Sequence, residues 1–199
     1  MDFDDVLRHR RMVRNFTDEP VDRAVVDRIL DAARRAPSAG NSQGQAFVVV
    51  TDPERRRHIA QLADEHTYVG MGFDPWISKA PVHVVVCVSE ELYRARYREP
   101  DKSPDGTEHE WPVPYWWVDA GAALMLVLLA AVSEGLAAGF LGSHAMPELE
   151  TFLDLPDHVR AVGVVTIGHP APDRRSGSLA RGRRPLSDVV HEERWTTGE

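Results

Sequence analysis

The chain has 199 residues, of which 43% are hydrophobic and 27% are charged. This is the composition of one globular domain with a proper core, so residues 1–199 are treated as a single domain and a disordered chain is excluded. The formal net charge of −8 argues against nucleic acid as the main partner.

The first 51 residues predict two helices, a polar turn and a strand. Asp2–Arg10 has acids in its first turn and bases at its end, which is typical of a short helix. Asp22–Ala36 follows as a helix with an apolar face, and Pro37 ends it. The β-branched segment 46–51 predicts a strand. The start of the chain carries acids and no apolar stretch, which argues against a signal peptide, and we expect a cytoplasmic protein.

The next segments predict a helix and a buried strand. Asp52 is the expected cap of a helix over Pro53–Glu65. The continuous apolar run 81–88 predicts a strand covered on both faces. Cys87, the only cysteine, lies within it, so an internal disulfide and a cysteine-rich metal site are excluded and a buried thiol is expected.

Residues 93–114 have four prolines and no periodicity, which predicts a long loop of functional use or a disordered one. A central helix is predicted from Tyr115 to Leu136. Its apolar run, Ala120–Val132, has about 13 residues, fewer than the ~20 that span a bilayer, so we expect a core helix and no membrane partner.

The last third predicts a strand over Ala138–Leu141, a short helix over Pro147–Leu153 and a strand over Ala161–Gly168. The tail from Pro170 to Arg184 is too polar to form core, and such ends either fray or are held by a partner. Strands and helices mix along the whole chain, which predicts an α/β or α+β fold with one sheet around a central apolar helix.

Two arginine clusters interrupt this acidic chain. Arginine binds phosphate through paired, charge-assisted hydrogen bonds, so clusters distant in sequence can converge on one phosphorylated ligand. The alternative is two solvated basic faces or docking points for surface acids. The clusters are Arg8, Arg10, Arg11 and Arg14, and Arg174, Arg175, Arg181, Arg183 and Arg184.

The turn at 37–43 (PSAGNSQ) lies between a predicted helix and a predicted strand. Its small residues allow close backbone approach to a flat ligand, and its polar side chains suit the edge of a heterocycle. A plain helix-ending loop is the alternative. No Gly-x-Gly-x-x-Gly follows a strand, which argues against a standard dinucleotide fold.

Taken in order, these segments resemble the FMN-dependent nitroreductase family. The resemblance rests on RRMVRNF at 10–16, PSAGNSQ at 37–43, Ala80-Pro81, DAGAA at 119–123 and RGRRPL at 181–186, followed by Val189-Val190-His191. It covers about residues 2–195. Met12 departs from the pattern, because many members have serine there.

The resemblance implies a set of cofactor contacts. Arg10 and Arg11 would serve the phosphate and ribityl end of FMN, with Met12 beside them, and Arg14 would face the pyrimidine edge of the flavin. Arg181 and Arg183 would close the phosphate clamp, with Arg184 as an alternative. Pro37, Ser38, Ala39 and Asn41 would border the flavin from the partner subunit, and Gly139 would lie beside its N5. Aromatic residues in and beside 93–114 would shape the acceptor pocket as a lid or pack beneath it: Tyr97, Trp111 and Tyr115. Tyr68, Phe73 and Trp76 are further candidates for the same wall.

The family fold is an α+β sandwich with a mixed, mostly antiparallel sheet flanked by helices, built as an intertwined homodimer whose residues 170–199 would wrap the partner. The implied function is NADH- or NADPH-dependent reduction of a small acceptor, a nitroaromatic, a quinone or a similar compound, by a ping-pong mechanism. No side chain is expected as an essential acid or base, and no metal. The alternatives are a flavin-binding or storage protein without turnover, a deazaflavin in place of FMN, and branches that dehydrogenate, dehalogenate or fragment flavin.

Overall fold

A four-stranded antiparallel sheet organises the chain, whose computed structural model describes residues 1–107, 109–174 and 176–195. Arg175 of the second arginine cluster lies outside the described residues. The strand order is β1-β2-β4-β3. The strands are β1 (Gln45–Val50), β2 (Val82–Ser89), β3 (Ala137–Gly142) and β4 (Val159–Gly168).

The strand pairing agrees with the expected mixed, mostly antiparallel sheet. All three strand pairs are antiparallel. Within the described ranges, the parallel component is a single bridge between Met12 and Ala138. The N-terminal segment therefore runs along β3 at the edge of the sheet.

Strand β2 is buried at every position, as its continuous apolar run predicts. Val84 and Val86 face one apolar cluster, whereas Val85 and Cys87 face another on the opposite side of the sheet. Alternate side chains point to opposite faces of a strand, so apolar residues at successive positions indicate that both faces are covered. Burial, with a smaller effect from the charge of Glu150, raises the pKa of the Cys87 thiol to about 12, which makes it unreactive.

Helices cover both faces of the sheet. Three of them begin at an aspartate whose carboxylate accepts hydrogen bonds from backbone N–H groups, namely Asp2, Asp22 and Asp52. Such caps satisfy N–H groups that have no partner within the helix, which confirms three of the predicted starts. The eight helices of the described residues are α1 (Phe3–His9), α2 (Arg23–Ala33), α3 (Pro53–Leu62), α4 (Glu65–Gly70), α5 (Trp76–Lys79), α6 (Glu90–Tyr97), α7 (Tyr115–Ser133) and α8 (Leu149–Phe152).

Several predicted boundaries are wrong, among them the end of the third helix, which is at Leu62 rather than Glu65. Helix α2 ends at Ala33, three residues before Ala36, and the chain leaves it through a turn. The loop expected at 93–114 begins later, because Tyr93 and Tyr97 belong to α6. Tyr93 is the one residue of α6 that is buried, so the helix lacks the apolar periodicity that would predict it.

Helix α7 is the central helix that the sequence predicts, with its end at Ser133 rather than Leu136. It packs on α2 and on strands β2, β3 and β4. By length and composition alone it could also cross a membrane, a test that the core helix of a soluble protein passes equally. Its buried residues are Trp116, Ala120, Ala123, Val127, Leu128, Ala131 and Val132.

The described part of the C-terminal segment, residues 176–195, adds nothing to the core of the single chain. Two short 3₁₀ turns occur there, Gly177–Arg181 and Leu186–Asp188. Its large apolar side chains are exposed, at 66% for Leu179, 75% for Leu186 and 77% for Trp195. These apolar side chains are therefore not buried by any described residue of their own chain.

Candidate functional site

The segment that carries the first arginine cluster lies against the sheet edge. The Val13 N–H donates to the Ala138 carbonyl over 3.0 Å, and Val13 and Phe16 are buried. Gly139 permits this approach, because a Cβ there would lie 2.6 Å from the Val13 carbonyl oxygen. Burying Val13 and Phe16 leaves Arg10 and Arg14 partly exposed.

The beginning of the tail is joined to the same segment. The Asn15 side-chain amide donates to the Pro172 carbonyl over 2.8 Å. The Asp173 carboxylate accepts from Arg11 Nη1 over 2.5 Å and from the Arg14 backbone N–H over 3.0 Å, and its side chain is only 4% exposed. Asp173 therefore fixes the backbone of Arg14 and the side chain of Arg11 together.

The two arginine clusters meet in one pocket of about 330 Å³. Arg10, Arg14 and Arg183 form no ion pair with a carboxylate within the described part of the chain, whereas Arg11 is paired with Asp173. Three uncompensated guanidinium groups in one concave site favour a phosphate group. The lining residues are Arg10, Arg11, Met12, Arg14, Ser176, Ser178, Leu179 and Arg183.

Arg14 also contacts aromatic rings at the margin of this pocket. Its guanidinium carbon lies 5.9 Å from the ring centroids of both Phe73 and Trp76, within cation–π range. Phe73 precedes α5, and Trp76 begins it. The guanidinium of Arg14 is therefore held by packing rather than by a carboxylate.

The turn at 37–43 has a defined shape of its own. Ser38 Oγ accepts from the Gln43 N–H over 2.9 Å, and Ser42 Oγ donates to the Ala39 carbonyl over 2.6 Å. Asn41 has a φ of 55°, in the left-handed region that asparagine tolerates. Pro37 and Asn41 are exposed, and Asn41 shows no side-chain hydrogen bond among the described residues. The side chain of Asn41 is thus available to a ligand.

Asp119, near the start of α7, holds this turn in place. Its Oδ2 accepts from the Ala39 N–H over 2.8 Å and from the Tyr93 hydroxyl over 2.9 Å. Burial, and then the hydrogen bond and charge of Asp119, raise the pKa of Tyr93 well above its usual range, so Tyr93 stays a hydrogen-bond donor. Arg96 adds a hydrogen bond from its Nε to the Gly40 carbonyl over 2.9 Å.

An aromatic cluster lies beside the turn. Tyr97 and Trp111 have ring centroids 4.6 Å apart, and Trp111 and Tyr115 have theirs 6.3 Å apart. Tyr97 also packs on the turn, because a Cβ on Gly40 would lie 2.7 Å from its ring. The three predicted pocket residues therefore belong to one cluster, edge-to-face for the closest pair.

The arginine pocket and the turn lie at opposite ends of the sheet within one chain. Met12 bridges to Ala138 of β3. Ala138 and Val82 of β2 both pair with Ile167 of β4, so the three residues lie at the same height in the sheet. The turn leads into Gln45, which pairs with Val88. Val88 lies six residues after Val82, or about 20 Å along the strand at ~3.3 Å per residue. The two groups of residues are therefore far apart within one chain.

The chain matches a family model described as the nitroreductase family over residues 7–169. The chain belongs to the nitroreductase family. Its α+β fold, with an antiparallel sheet between helices, is the one found in solved structures of that family.

Similar proteins agree with this assignment. A relative from Bacillus subtilis (strain 168), named FMN reductase (NAD(P)H), is 35% identical over 197 residues, which cover 95% of this chain and 72% of the relative. The solved structure of the hypothetical oxidoreductase YcnD from Bacillus subtilis is 31% identical, with a TM-score of 0.74 and coverage of 97% and 74%. An iodotyrosine deiodinase from Haliscomenobacter hydrossis is 28% identical, with coverage of 93% and 86%.

Not all of the predicted cofactor contacts meet in the single chain. Arg181 is exposed at the end of its 3₁₀ turn and does not line the arginine pocket, and Arg184 donates to the Asp188 carbonyl. Gly139 is buried against Val13, Thr166 and Trp76, so its place beside a flavin stays a prediction.

Several contacts of the candidate site could not be predicted from the sequence. Asp173 and Arg96 act through contacts with residues distant in sequence, for which the sequence holds no local signal. Asp119 stands in the quoted DAGAA motif, which indicated its importance without a role. Phe73 and Trp76 were expected only as further residues of the acceptor wall; they contact Arg14, and in the described part of the chain no ring contact joins them to the aromatic cluster at Trp111.

Proposed function

We propose that this chain is an FMN-dependent oxidoreductase that takes electrons from NADH or NADPH and passes them to a small organic acceptor such as a quinone or nitroaromatic. The observation that carries the proposal is the pocket in which Arg10, Arg14 and Arg183 converge without carboxylate partners. The name of the Bacillus subtilis FMN reductase supports both the flavin and the nicotinamide.

The residues of this pocket fit a flavin mononucleotide. Arg10 and Arg183 would hold the phosphate, where the side chains of Ser176 and Ser178 can add hydroxyl donors. Arg14 would place a fixed positive charge at the pyrimidine edge, because its guanidinium is aimed by Phe73 and Trp76. Arg11 contributes less charge than the sequence suggests, because Asp173 offsets it.

A homodimer would complete the site. The turn at 37–43 would reach the flavin from the partner, since it lies about 20 Å along the sheet from the arginine pocket of its own chain. Exposed apolar residues support such an interface, including Trp117 at 43% and Val118 at 54% on α7. Leu186 and Trp195 would be covered where the tail wraps the partner.

The division of chemistry in this proposal is simple. When bound by Arg10, Arg14 and Arg183, FMN would supply the two-electron redox chemistry between the nicotinamide and the acceptor. The chain binds and orients the reactants and excludes water, and no acid or base side chain is required. The aromatic cluster of Tyr97, Trp111 and Tyr115 would form an apolar wall for a planar acceptor. A cytoplasmic location stays a prediction.

The test is the visible spectrum of the purified protein, followed by steady-state kinetics with NADPH or NADH and a quinone. Two flavin bands that bleach on anaerobic addition of the nicotinamide, and parallel double-reciprocal plots, are expected for one site that alternates between two substrates. Flavin bands that persist would indicate a storage protein. A spectrum without the long-wavelength band would indicate a deazaflavin, and no uptake of added FMN would contradict the proposal.

A further inference from the structure

Arg174 stands beside the arginine pocket but outside its lining. Its guanidinium carbon lies 5.5 Å from the centroid of the Phe73 ring, the same ring that Arg14 contacts from 5.9 Å. Its Nη1 donates to the Met71 carbonyl over 2.8 Å. Two guanidinium groups therefore share one aromatic ring, and no carboxylate of the described residues pairs with either side chain.

Exposed arginines elsewhere in this acidic chain are commonly neutralised. Arg28 pairs with Glu134 over 2.6 Å, and Arg96 pairs with Asp101 over 2.7 Å. Further pairs are Arg8–Asp5, Arg23–Asp27, Arg35–Asp31 and Arg160–Glu150. Arg174 is exposed and keeps its charge uncompensated at the margin of the candidate site, which favours an anionic ligand there.

The local backbone is shaped to accept the Arg174 side chain. Gly72 has a φ of 85°, and a Cβ at this position would lie 2.9 Å from Arg174 Nη1. The hydrogen bond to Met71 occupies one donor of Nη1. The N–H groups of Nε and Nη2 remain for a ligand, and this planar fork matches the oxygens of a phosphate.

In the proposed site the flavin phosphate already has two arginines of the pocket, Arg10 and Arg183. A nicotinamide dinucleotide brings further phosphates to the same region when its nicotinamide reaches the flavin. We propose that Arg174 binds a phosphate group of the nicotinamide dinucleotide, an inference that rests on the proposed oxidoreductase function. The group is the ribose 2′-phosphate of NADPH or the pyrophosphate that NADH and NADPH share.

The test compares Arg174→Ala and Arg174→Lys with the FMN-loaded wild-type protein. Arg55→Ala is the matched control, because the Arg55 guanidinium lies 4.6 Å from the centroid of Phe152 and donates to the Phe152 carbonyl, without lining the arginine pocket. The KM values for NADPH and NADH are measured at saturating quinone. Binding of adenosine 2′,5′-bisphosphate and of ADP is measured by calorimetry, as a readout independent of turnover.

Arg174→Ala should raise the KM for the dinucleotide about tenfold or more, with kcat and FMN affinity unchanged, because one charge-assisted contact is lost. The KM of Arg174→Lys should lie between those of the wild type and Arg174→Ala, because lysine keeps the positive charge but lacks the planar guanidinium fork. An effect on NADPH and the bisphosphate alone assigns the 2′-phosphate, whereas equal effects on NADH, NADPH and ADP assign the pyrophosphate.

Unchanged KM values and analogue affinities in Arg174→Ala would overturn the inference, as would an equal effect of Arg55→Ala. These outcomes leave the proposed function intact when the wild-type protein oxidises NADPH or NADH. A wild-type protein that holds FMN but oxidises neither would contradict the proposed function instead. The calorimetric comparison of the analogues would still decide whether Arg174 binds phosphate.

Discussion

At the scale of residues, the proposed FMN site consists of arginines that lack carboxylate partners. Arg14 is the most specific of them, because Phe73 and Trp76 hold its guanidinium and Asp173 holds its backbone. A cation fixed in this way loses little freedom when a ligand binds. The same charge on a freely moving side chain would contribute less.

Arg14→Ala should therefore weaken FMN binding about tenfold and slow reduction of the bound flavin by the nicotinamide. The affinity is measured by titration of the apoprotein with FMN, and the rate by rapid mixing with NADPH. Arg28→Ala is the control, because Arg28 pairs with Glu134 away from the pocket. An Arg14→Ala protein with unchanged flavin content and rate would remove this residue from the site.

The sequence could predict which arginines converge but not what positions them. Arg10, Arg14 and Arg183 are recognisable as uncommon clusters in an acidic chain, and the pocket joins them. Asp173 and Asp119 cannot be told apart in the sequence from the other acidic residues, of which the chain has 31 in all. Only the fold brings Asp173 to Arg11 and Asp119 to Ala39. The family resemblance also implies Arg181, which in the single chain does not line the pocket, so its contact with the phosphate stays a prediction.

At the scale of elements, prediction succeeded where a cap or an apolar run is local. Asp22 and Asp52 start their helices, and the valines of β2 are buried on both faces. It failed for α6, whose single buried side chain gives no periodicity, and it did not foresee the short helices α4 and α5. Those helices position Phe73 and Trp76, so the contact of these two rings with Arg14 could not be predicted either.

Strand β2 also carries a buried histidine with a consequence for pH. His83 is fully buried, and its Nε2–H donates to the Ile77 carbonyl over 2.7 Å. Burial, with a smaller effect from the charge of Arg56, lowers the pKa of His83 to about 4. The folded chain therefore keeps this imidazole neutral at pH values where the unfolded chain protonates it.

The free energy of unfolding should consequently fall as the pH decreases from 6.5 to 4, by up to about 3 kcal/mol from His83 alone. Above pH 6.5 this loss is absent, because the His83 imidazole is neutral in both the folded and the unfolded chain. The measurement is urea unfolding at several pH values for wild type and His83→Gln, which cannot protonate. Equal pH dependence of the two proteins would show that His83 does not titrate in this window.

At the scale of the whole molecule, the single chain does not bring all of the proposed cofactor contacts together. The arginine pocket and the turn at 37–43 are at opposite ends of one sheet. Apolar residues of α7 and of the tail are exposed to solvent in the single chain. Both observations have the same explanation if two chains assemble and each supplies one half of each site. The sequence suggested this arrangement only through the family resemblance, because no residue pattern specifies a contact between chains.

The most direct measurement is FMN titration of mixed dimers made by co-expressing Arg14→Ala with Asn41→Gly. Glycine keeps the left-handed backbone of Asn41 while removing its side chain. Each variant alone should bind FMN weakly. Random pairing should restore wild-type affinity in about a quarter of the sites, because half of the dimers are mixed and each of these holds one intact site. A mixture that titrates as two weak variants, with no tight fraction, would contradict the shared site.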